Sequence, residues 1–476
     1  MSNNGKKIAI EWIDRNNGRL VEISDAIWEY AELGFVEYKS SKLLADELED
    51  HGFEVERGVA GIPTAFVASY GSGKPVIGVM GEYDALPGLS QKAVPYKEPI
   101  EAGAPGHGCG HNIHGTSGMG GALAVKAAME KASIPGTVKF FGCPAEEMLS
   151  GKVWMVRDGV FDGVDACLSH HPSSMNTAGL SSSNANNAVK FHFHGKTSHA
   201  AGSPEQGRSS LDAVELMNVG VNFLREHVIQ DARIHYVIEE GGGQPNVVPD
   251  YARSWYLIRA PERDQLEPIY DRILKIAEGA ALMTETTLEV EFVKGIYNKV
   301  PSRILSELVT AIMRDIGSPE YTEEEMEFAE ELAKSISPGA KRDSLWKSKR
   351  PGWEELLDVT LDRTIPDAWN EGEVSHGSTD VSDVSWQTPT MEFGTTTNAL
   401  GGPGHSWQNT AMSGTSIGHK SLVFASKVIA ASAIDLLTKP ELLEKAWEEH
   451  GERLRGKIYK SPVPPEAKPP LDQWKK

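Results

Sequence analysis

Short apolar runs that alternate with helical segments constrain the fold of this chain more than any other feature. Four runs of strand length are each bounded by Gly or Pro: TAFVASYG, PVIGVMGEYDALPG, GTVKFFGCPAEE and VDACLSHHP. A helical stretch, GTSGMGGALAVKAAMEKA, lies between the second run and the third. Strands that alternate with helices predict an α/β fold whose mostly parallel sheet carries helices on both faces.

The pattern changes near residue 186 and changes back near residue 298. Between these positions the segments read as strand, helix, two strands, helix and strand, from NAVKFHFHGKTSHAA to TTLEVEFVKG. This order is typical of a small α+β domain with one sheet and one helical layer. We therefore predict a smaller domain at 186–298, inserted into a discontinuous α/β domain formed by 1–185 and 299–476. The Pro-rich tail from about residue 460 is expected to extend along the surface.

The overall charge restricts the partners of the chain. Its 476 residues carry a formal net charge of -20, which disfavours binding to nucleic acid and to anionic membranes. We expect no apolar run long enough to span a bilayer, and no signal peptide in MSNNGKKIAIEWIDRNN. Three cysteines are too few for a disulfide framework, so we expect a soluble cytoplasmic enzyme.

Residues of the types that bind metals follow several of the predicted strands. In open α/β sheets, binding sites form outside the carboxyl ends of the strands. The sequence therefore predicts one site at this edge of the sheet. Its candidate residues are Asp84 after the second run, Cys109 and His111 in the following loop, Glu146 and Glu147 after the third run, and His170 and His171 after the fourth.

The loop GAPGHGCGHNIHG admits three interpretations. Cys109 and His111 could reach one ion or two neighbouring ions, or they could be a buried thiol beside a structural histidine. Backbone amides of GHGCG could instead bind phosphate, but the Lys-Ser/Thr of a P-loop is absent. His107 and His114 are interpreted as hydrogen-bonded structural groups. The match of GTSIG to a nucleophile elbow is taken as coincidence, because the preceding segment is not strand-like.

Glu146 and Glu147 are adjacent carboxylates in a loop with apolar neighbours. They are either two solvated acids or a functional pair with divided roles. In the functional interpretation one carboxylate binds metal, and the other takes a proton from metal-bound water, as amide hydrolysis requires.

Six motifs, taken in order along the chain, resemble the dinuclear metallopeptidase family of aminoacylases and glutamate carboxypeptidases, within its amidohydrolase branch. They are EYDALPG, GHGCGHNIHG, CPAEE, HGKTSHAAGSPEQGRSSLDAV, GGGQPNVVPD and GGPGHSWQN. The resemblance implies a catalytic α/β domain interrupted by a lid and dimerisation domain. It also implies hydrolysis of N-acyl or N-aroyl amino acids, with p-aminobenzoyl-glutamate as the first candidate and auxin–aspartate or hippurate-like conjugates as alternatives.

The resemblance also implies roles for single residues around two divalent ions per subunit, Mn or Zn. Glu146 would be the general base, and Asp84 would contact the ligand residues without binding the metal itself. Glu82 stands where the wider family has a histidine ligand, and it is a further ligand candidate. The implied ligands are Cys109, His111, Glu147, His405 and a histidine after the next strand, for which His171 is preferred and His170 remains open.

The motif also departs from its usual form, because Asn112 replaces the usual Asp after Cys-Gly-His. An amide cannot supply the negative charge that a carboxylate would give to the ligand surroundings.

Three residues of the inserted domain receive roles from the same resemblance. His199 would polarise the scissile carbonyl from the partner subunit of a homodimer. Asn246 and Arg259 would hold the carboxylate of the substrate. A related partner subunit is a further possibility. The opposing hypotheses are a carbamoyl or allantoate amidohydrolase, which the Cys-Gly-His motif disfavours, and a catalytically silent binding module on the same fold.

Overall fold

The computed structural model describes residues 2–375 and 377–474. Its larger sheet has six strands, numbered here in chain order: β1 (Glu54–Arg57), β2 (Phe66–Ser72), β3 (Val76–Glu82), β4 (Gly136–Cys143), β5 (Ala166–Ser173) and β12 (Thr390–Thr396). Their spatial order is β1-β2-β4-β3-β5-β12. From β4 to β12 all neighbours are parallel, whereas β2 is antiparallel to both β1 and β4. The prediction of a mostly parallel sheet is confirmed, with an antiparallel edge that the sequence did not reveal.

Helices cover both faces of this sheet, as predicted. One face carries α1, α2, α3, α7 and α12 over a large apolar core, and the other carries α4 and α10 over a smaller one. The helices outside the segment Ala185–Ile296 are α1 (Ser2–Tyr30), α2 (Tyr38–Asp50), α3 (His111–Ala132), α4 (Gly151–Arg157), α7 (Arg303–Ile316), α8 (Glu323–Ala333), α9 (Pro338–Lys347), α10 (Val381–Ser385), α11 (Trp407–Ser413), α12 (Ser416–Thr438) and α13 (Pro440–Leu454).

The helix α3 positions the end of the loop GAPGHGCGHNIHG, because it begins at His111 and lies directly against β3. Its Gly-rich first half allows this close approach. A Cβ atom on Gly118 would lie 2.7 Å from the carbonyl oxygen of Met80 in β3. No side chain fits at that distance, so the small residues of α3 set how closely the helix contacts the sheet.

A second, antiparallel sheet lies within the segment Ala185–Ile296 and has the order β10-β7-β9-β8. The helices α5 and α6 pack on one face of it and enclose a separate apolar core. Its elements follow one another as strand, helix, two strands, helix and strand. They are β7 (Ala185–His194), α5 (Ser210–Leu224), β8 (Arg233–Glu240), β9 (Tyr251–Ala260), α6 (Arg263–Thr284) and β10 (Thr287–Ile296). Beside this unit, β6 (Ser182–Ser183) pairs with β11 (Val374–Ser375).

The long helix α12 corrects one sequence expectation. By length and composition alone it is apolar enough to cross a membrane, so the chain does contain such a run. Its most apolar window is 83% buried inside the protein, against α1 and α3, as in the core helix of a globular protein. The Pro-rich tail follows the surface as expected, and its Trp474 Nε1 donates to the carbonyl of Gly34 at 2.8 Å.

We expect the Gly118→Ala variant to be less stable, because the new methyl group meets the backbone of β3, which cannot move aside cheaply. The expected loss is about 1–3 kcal/mol of unfolding free energy, seen as a lower melting temperature by circular dichroism. Gly18 of α1 is the matched control, since a Cβ there has no atom within 4 Å. Gly18→Ala should be neutral or stabilising, and an equal effect of both variants would contradict the close-approach argument.

Candidate metal centre

The five side chains predicted to bind metal converge in the structure. Cys109, His111 and His171 form one set, whose potential ligand atoms all lie within 4.8 Å of one another. Cys109, Glu147 and His405 form a second set with the same spacing. Because the thiol of Cys109 belongs to both sets, the arrangement suits two neighbouring ions with a shared sulfur ligand.

The carboxylate of Asp84 organises this cluster. Its Oδ1 lies 2.9 Å from His111 Nδ1, and its Oδ2 accepts the backbone N–H of Glu147 at 2.9 Å. A hydrogen bond at Nδ1 leaves the Nε2 of His111 as the metal-binding nitrogen. The supporting role predicted for Asp84 therefore has a direct geometric counterpart.

Local backbone conformation explains the spacing of the Cys-Gly-His motif. Gly110 has φ of 75°, a left-handed conformation that turns the chain between the two ligand candidates and starts α3 at His111. The next residue, Asn112, donates from Nδ2 to Ser24 Oγ at 3.1 Å and to the Ser413 carbonyl at 3.2 Å. Its amide thus fixes the start of α3 to α1 and α11, a use that requires a donor and that a carboxylate could not serve.

The structure distinguishes the two adjacent histidines of β5. Both ring nitrogens of His170 have hydrogen-bond partners, Ser117 Oγ at 2.9 Å and Thr395 Oγ1 at 2.6 Å. His171 uses only Nδ1, 2.8 Å from the Pro172 carbonyl, and its ring joins Cys109 in the ligand cluster. Successive residues of a strand face opposite sides of the sheet, so only one of them can reach the cluster.

The candidate base Glu146 lies in a tightly constrained loop after β4. The preceding Ala145 has φ of 57°, and its N–H donates to the buried Glu37 carboxylate at 2.8 Å. Burial, followed by repulsion from Glu82 and Asp380, raises the pKa of Glu146 well above its usual range. A constrained loop with a desolvated carboxylate is typical of a functional site.

A buried lysine is the main feature of the site that sequence reasoning missed. Lys152 Nζ lies 2.7 Å from Glu82 Oε1 and 2.6 Å from Asp380 Oδ1, and all three side chains are fully buried. The other oxygen of Glu82 lies 3.3 Å from the Nε2 atoms of both His111 and His114. One available signal was a lysine within the otherwise apolar stretch GKVWMV, where a buried cation requires a carboxylate partner.

The residues present fit a cationic metal centre. The buried Nε2 of His111 and Oε1 of Glu147 have no hydrogen-bond partner among the described residues. Burial raises the pKa of Glu147 to about 7, and the His111 ring opposes this shift. Lys152 forms ion pairs with two of the surrounding carboxylates, Glu82 and Asp380. The other carboxylates of the cluster are Asp84, Glu146 and Glu147, so divalent cations would complete the charge balance.

The remaining histidines of the loop and the GTSIG segment have structural roles. His107 Nε2 lies 2.9 Å from the Ile27 carbonyl, and His114 Nδ1 accepts the N–H of Glu82 at 2.9 Å. Both histidines are buried, as their interpretation as hydrogen-bonded groups requires. Ser416 of the GTSIG match begins α12 directly after the helix α11, whereas a nucleophile elbow needs a strand in that place.

His199 and Asn246, two of the predicted site residues, lie together beyond the end of β7. His199 pairs with Val247 in an isolated bridge, and Ala200 N–H donates to the Asn246 carbonyl. His199 Nδ1 accepts two backbone N–H groups at 3.2 and 3.0 Å, so the neutral ring carries its proton on Nε2. Both His199 and Asn246 are exposed.

Arg259 lies at the opposite end of the same sheet. It pairs with Asn186 at the start of β7, whereas His199 follows the end of β7. Lys294 on β10 donates to the carbonyl of Met148, which places this end of the sheet beside the Glu146–Glu147 loop. About 30 Å of strand separates the two ends. One chain therefore does not bring Asn246 and Arg259 to a single carboxylate, and their predicted joint role requires two chains.

Comparisons with known proteins identify relatives of this chain. Residues 78–433 match a family model described as Peptidase family M20/M25/M40. The chain is 42% identical to one of the subunits of p-aminobenzoyl-glutamate hydrolase from Escherichia coli (strain K12), covering 96% of this chain and 97% of that protein. It is 30% identical to the Xaa-Arg dipeptidase of Mus musculus, covering 93% and 91%. A solved Bacillus subtilis structure, described as a dinuclear metal binding peptidase from the M20 family, has a similar fold. Its TM-score is 0.56 at 19% identity, covering 89% of this chain and 99% of that one.

We expect His171→Ala to lower the metal content of the purified chain from about two ions to about one, because one ligand set loses a member. Metal content after dialysis can be measured by plasma mass spectrometry. The matched control is His170→Gln, whose amide can keep the contacts to Ser117 and Thr395. Loss of metal in His170→Gln with retention in His171→Ala would reverse the assignment.

Proposed function

The chain belongs to peptidase family M20/M25/M40, and on this basis we propose that it hydrolyses the amide bond of N-acyl or N-aroyl amino acids. The observation that carries the proposal is the pair of ligand sets sharing Cys109, with the buried carboxylate of Glu146 beside them. The first substrate candidate is p-aminobenzoyl-glutamate, on which the Escherichia coli relative acts according to its name.

In this proposal two divalent ions, Mn(II) or Zn(II), are held by the two ligand sets. Cys109, His111 and His171 would hold one, and Cys109, Glu147 and His405 the other. When bound, such ions lower the pKa of a coordinated water and polarise the substrate carbonyl. Thiolate and imidazole ligands suit zinc, while carboxylates also suit manganese, so the donor set accommodates either metal.

Glu146 is the proposed general base and acid. It is 8% exposed, and its Oε2 lies 4.0 Å from His111 Nε2. Glu146 belongs to neither set that contains Cys109, but it forms a third group of potential ligands with Glu82 and His111. A carboxylate in this position can take the proton of the attacking water and return it to the leaving amine. A silent binding module would have no need of such a buried, destabilised carboxylate.

His199 is proposed to act on a second copy of the chain. Its Nε2–H is the donor that a developing oxyanion requires, yet His199 lies about 30 Å along β7 from the sheet end beside Glu146. An exposed apolar stripe on α5, beside the edge strand β8, supports a homodimer through this sheet; the stripe consists of Leu216, Val219 and Phe223. The Escherichia coli relative is named as one subunit of a hydrolase, which keeps a related partner chain as an alternative.

The proposed location is the cytoplasm. All three cysteines are free, and Cys143 and Cys167 are buried in the core rather than paired. Unpaired thiols suit a reducing compartment.

We expect Glu146→Gln to abolish hydrolysis, since Gln cannot accept the water proton, while both ligand sets that contain Cys109 stay complete and continue to hold metal. The kcat for release of glutamate from p-aminobenzoyl-glutamate, with Mn(II) or Zn(II) added, should fall by about 10²- to 10⁴-fold. The exposed Glu54 of β1 supplies the control Glu54→Gln, which should keep full activity. Wild-type protein that binds metal but cleaves no acyl amino acid would refute the proposed function.

A mixing experiment tests the role of His199. Glu146→Gln and His199→Ala chains should each be nearly inactive, because each lacks one catalytic group. If His199 serves the partner, a mixed dimer contains one complete site, and an equal mixture should regain about a quarter of wild-type activity. No recovery, despite exchange of chains shown by native mass spectrometry, would place His199 outside the site of the partner.

A further inference from the structure

A β-bulge near the end of β10 changes the face of the sheet on which the last side chains of this strand lie. Up to Phe292, β10 residues pair in simple register with β7, but Lys294 pairs with Ala188 directly after Phe292 has paired with Val189. β10 therefore has one more residue than β7 at this point. The extra residue places each later side chain of β10 on the opposite face of the sheet. Without the bulge Lys294 would face α6, as the partly buried Phe292 does. With it, Lys294 shares the helix-free face with Ala188.

Lys294 carries a partly buried ammonium group beside the catalytic loop. Its Nζ donates to the Met148 carbonyl at 2.8 Å, one residue after Glu147. None of the described carboxylates forms an ion pair with it, although an ammonium group can make three hydrogen bonds. Burial lowers the pKa of Lys294 to about 8, the distant Glu146 opposes this shift, and Arg259 adds to it. The cation is thus desolvated without an anionic partner in contact.

Asn186 provides an independent observation at the same place. It is 1% exposed, and neither its Oδ1 nor its Nδ2 has a hydrogen-bond partner among residues 2–375 and 377–474. It pairs directly with Arg259 on β9, and it lies two residues from Ala188, the partner of Lys294. Leaving a buried amide unsatisfied costs about 1–3 kcal/mol, so such a side chain indicates a polar ligand.

The three polar side chains occupy neighbouring strands on one face. Asn186 is on the central strand β7, with Arg259 on one side and Lys294 on the other. Strand spacing puts the Arg259 and Lys294 backbones about 10 Å apart across the sheet and about 7 Å apart along it. Both long side chains can therefore approach a ligand that lies over Asn186.

We propose that Lys294 and Asn186 form a subsite for the side-chain carboxylate of an acidic leaving amino acid, while Arg259 takes its main-chain carboxylate. The inference rests on the proposed function and narrows its substrate class to acyl or aroyl conjugates of glutamate or aspartate. A dicarboxylate needs two cationic groups, and this face supplies two at the sheet end next to the reaction centre. A cationic leaving residue such as arginine would meet repulsion from both.

The test compares N-benzoyl-glutamate with N-benzoyl-glutamine, which differ only in the charge and hydrogen bonding of the side-chain end. The wild-type enzyme should favour the glutamate substrate. In Lys294→Met the ratio of kcat/KM for glutamate over glutamine should fall by about 10- to 100-fold, mainly through KM. Asn186→Ala should lower the same ratio less, and Lys294→Arg should restore part of it.

Lys190 offers a matched control on the same helix-free face. It pairs with Glu239 at 3.3 Å and lies over the Trp255 ring, away from the catalytic loop. Lys190→Met should keep the wild-type glutamate-to-glutamine ratio. An unchanged ratio in Lys294→Met, or an equal fall in Lys190→Met, would overturn the proposed subsite while leaving the hydrolase assignment in place.

A binding measurement separates failure of the subsite from failure of the enzyme. The metal-loaded wild-type chain is titrated calorimetrically with L-glutamate and L-glutamine, and the titration is repeated with Lys294→Met. Tighter binding of glutamate that Lys294→Met removes would support the subsite, even if no acyl conjugate were cleaved. Equal binding of both amino acids, or no binding of either, would overturn it.

Discussion

The site depends on the carboxylate of Asp84, which connects segments from three parts of the chain. Asp84 follows β3, His111 begins α3, and Glu147 follows β4. One carboxylate oxygen sets the orientation of the His111 ring, and the other holds the backbone of Glu147. Hydrogen bonds to a charged group are worth about 1.5–3 kcal/mol each, more than a neutral contact. The ligand sets keep their spacing because this single side chain, itself 1% exposed, joins them.

Around this centre the protein concentrates negative charge where water is excluded. Lys152 offsets part of it by bridging Glu82 and Asp380, and Glu82 in turn faces His111 and His114. Removing one member of such a buried pair leaves an uncompensated charge, at a cost of about 3–5 kcal/mol. The ion bridge therefore links the folding of the segment around Asp380 to the geometry of the cluster.

The inserted sheet divides its functional side chains between its two ends. Arg259, Asn186 and Lys294 lie at the end beside the catalytic loop, while His199 and Asn246 lie at the other. An antiparallel sheet is stiff along its strands, so one chain cannot bring the two ends together. This separation is the physical basis for proposing that a complete site uses two copies.

The sequence by itself determined the fold class and the placement of Asp84, Cys109, His111, Glu146 and Glu147 near one edge of the sheet, whereas His405 entered only through the family resemblance. The sequence could do so because apolar periodicity specifies strands and helices, and parallel strands end at one edge. Only the tertiary structure separated His170, whose two ring nitrogens have hydrogen-bond partners, from His171, whose ring lies in a candidate ligand set, since neighbouring strand residues differ solely in the face they present. The pairing of Lys152 with Asp380, which is 228 positions away, was likewise visible only in the tertiary structure. The same holds for the β-bulge that places Lys294 on the helix-free face. Such contacts depend on how separate segments pack against each other, and local sequence patterns do not predict that packing.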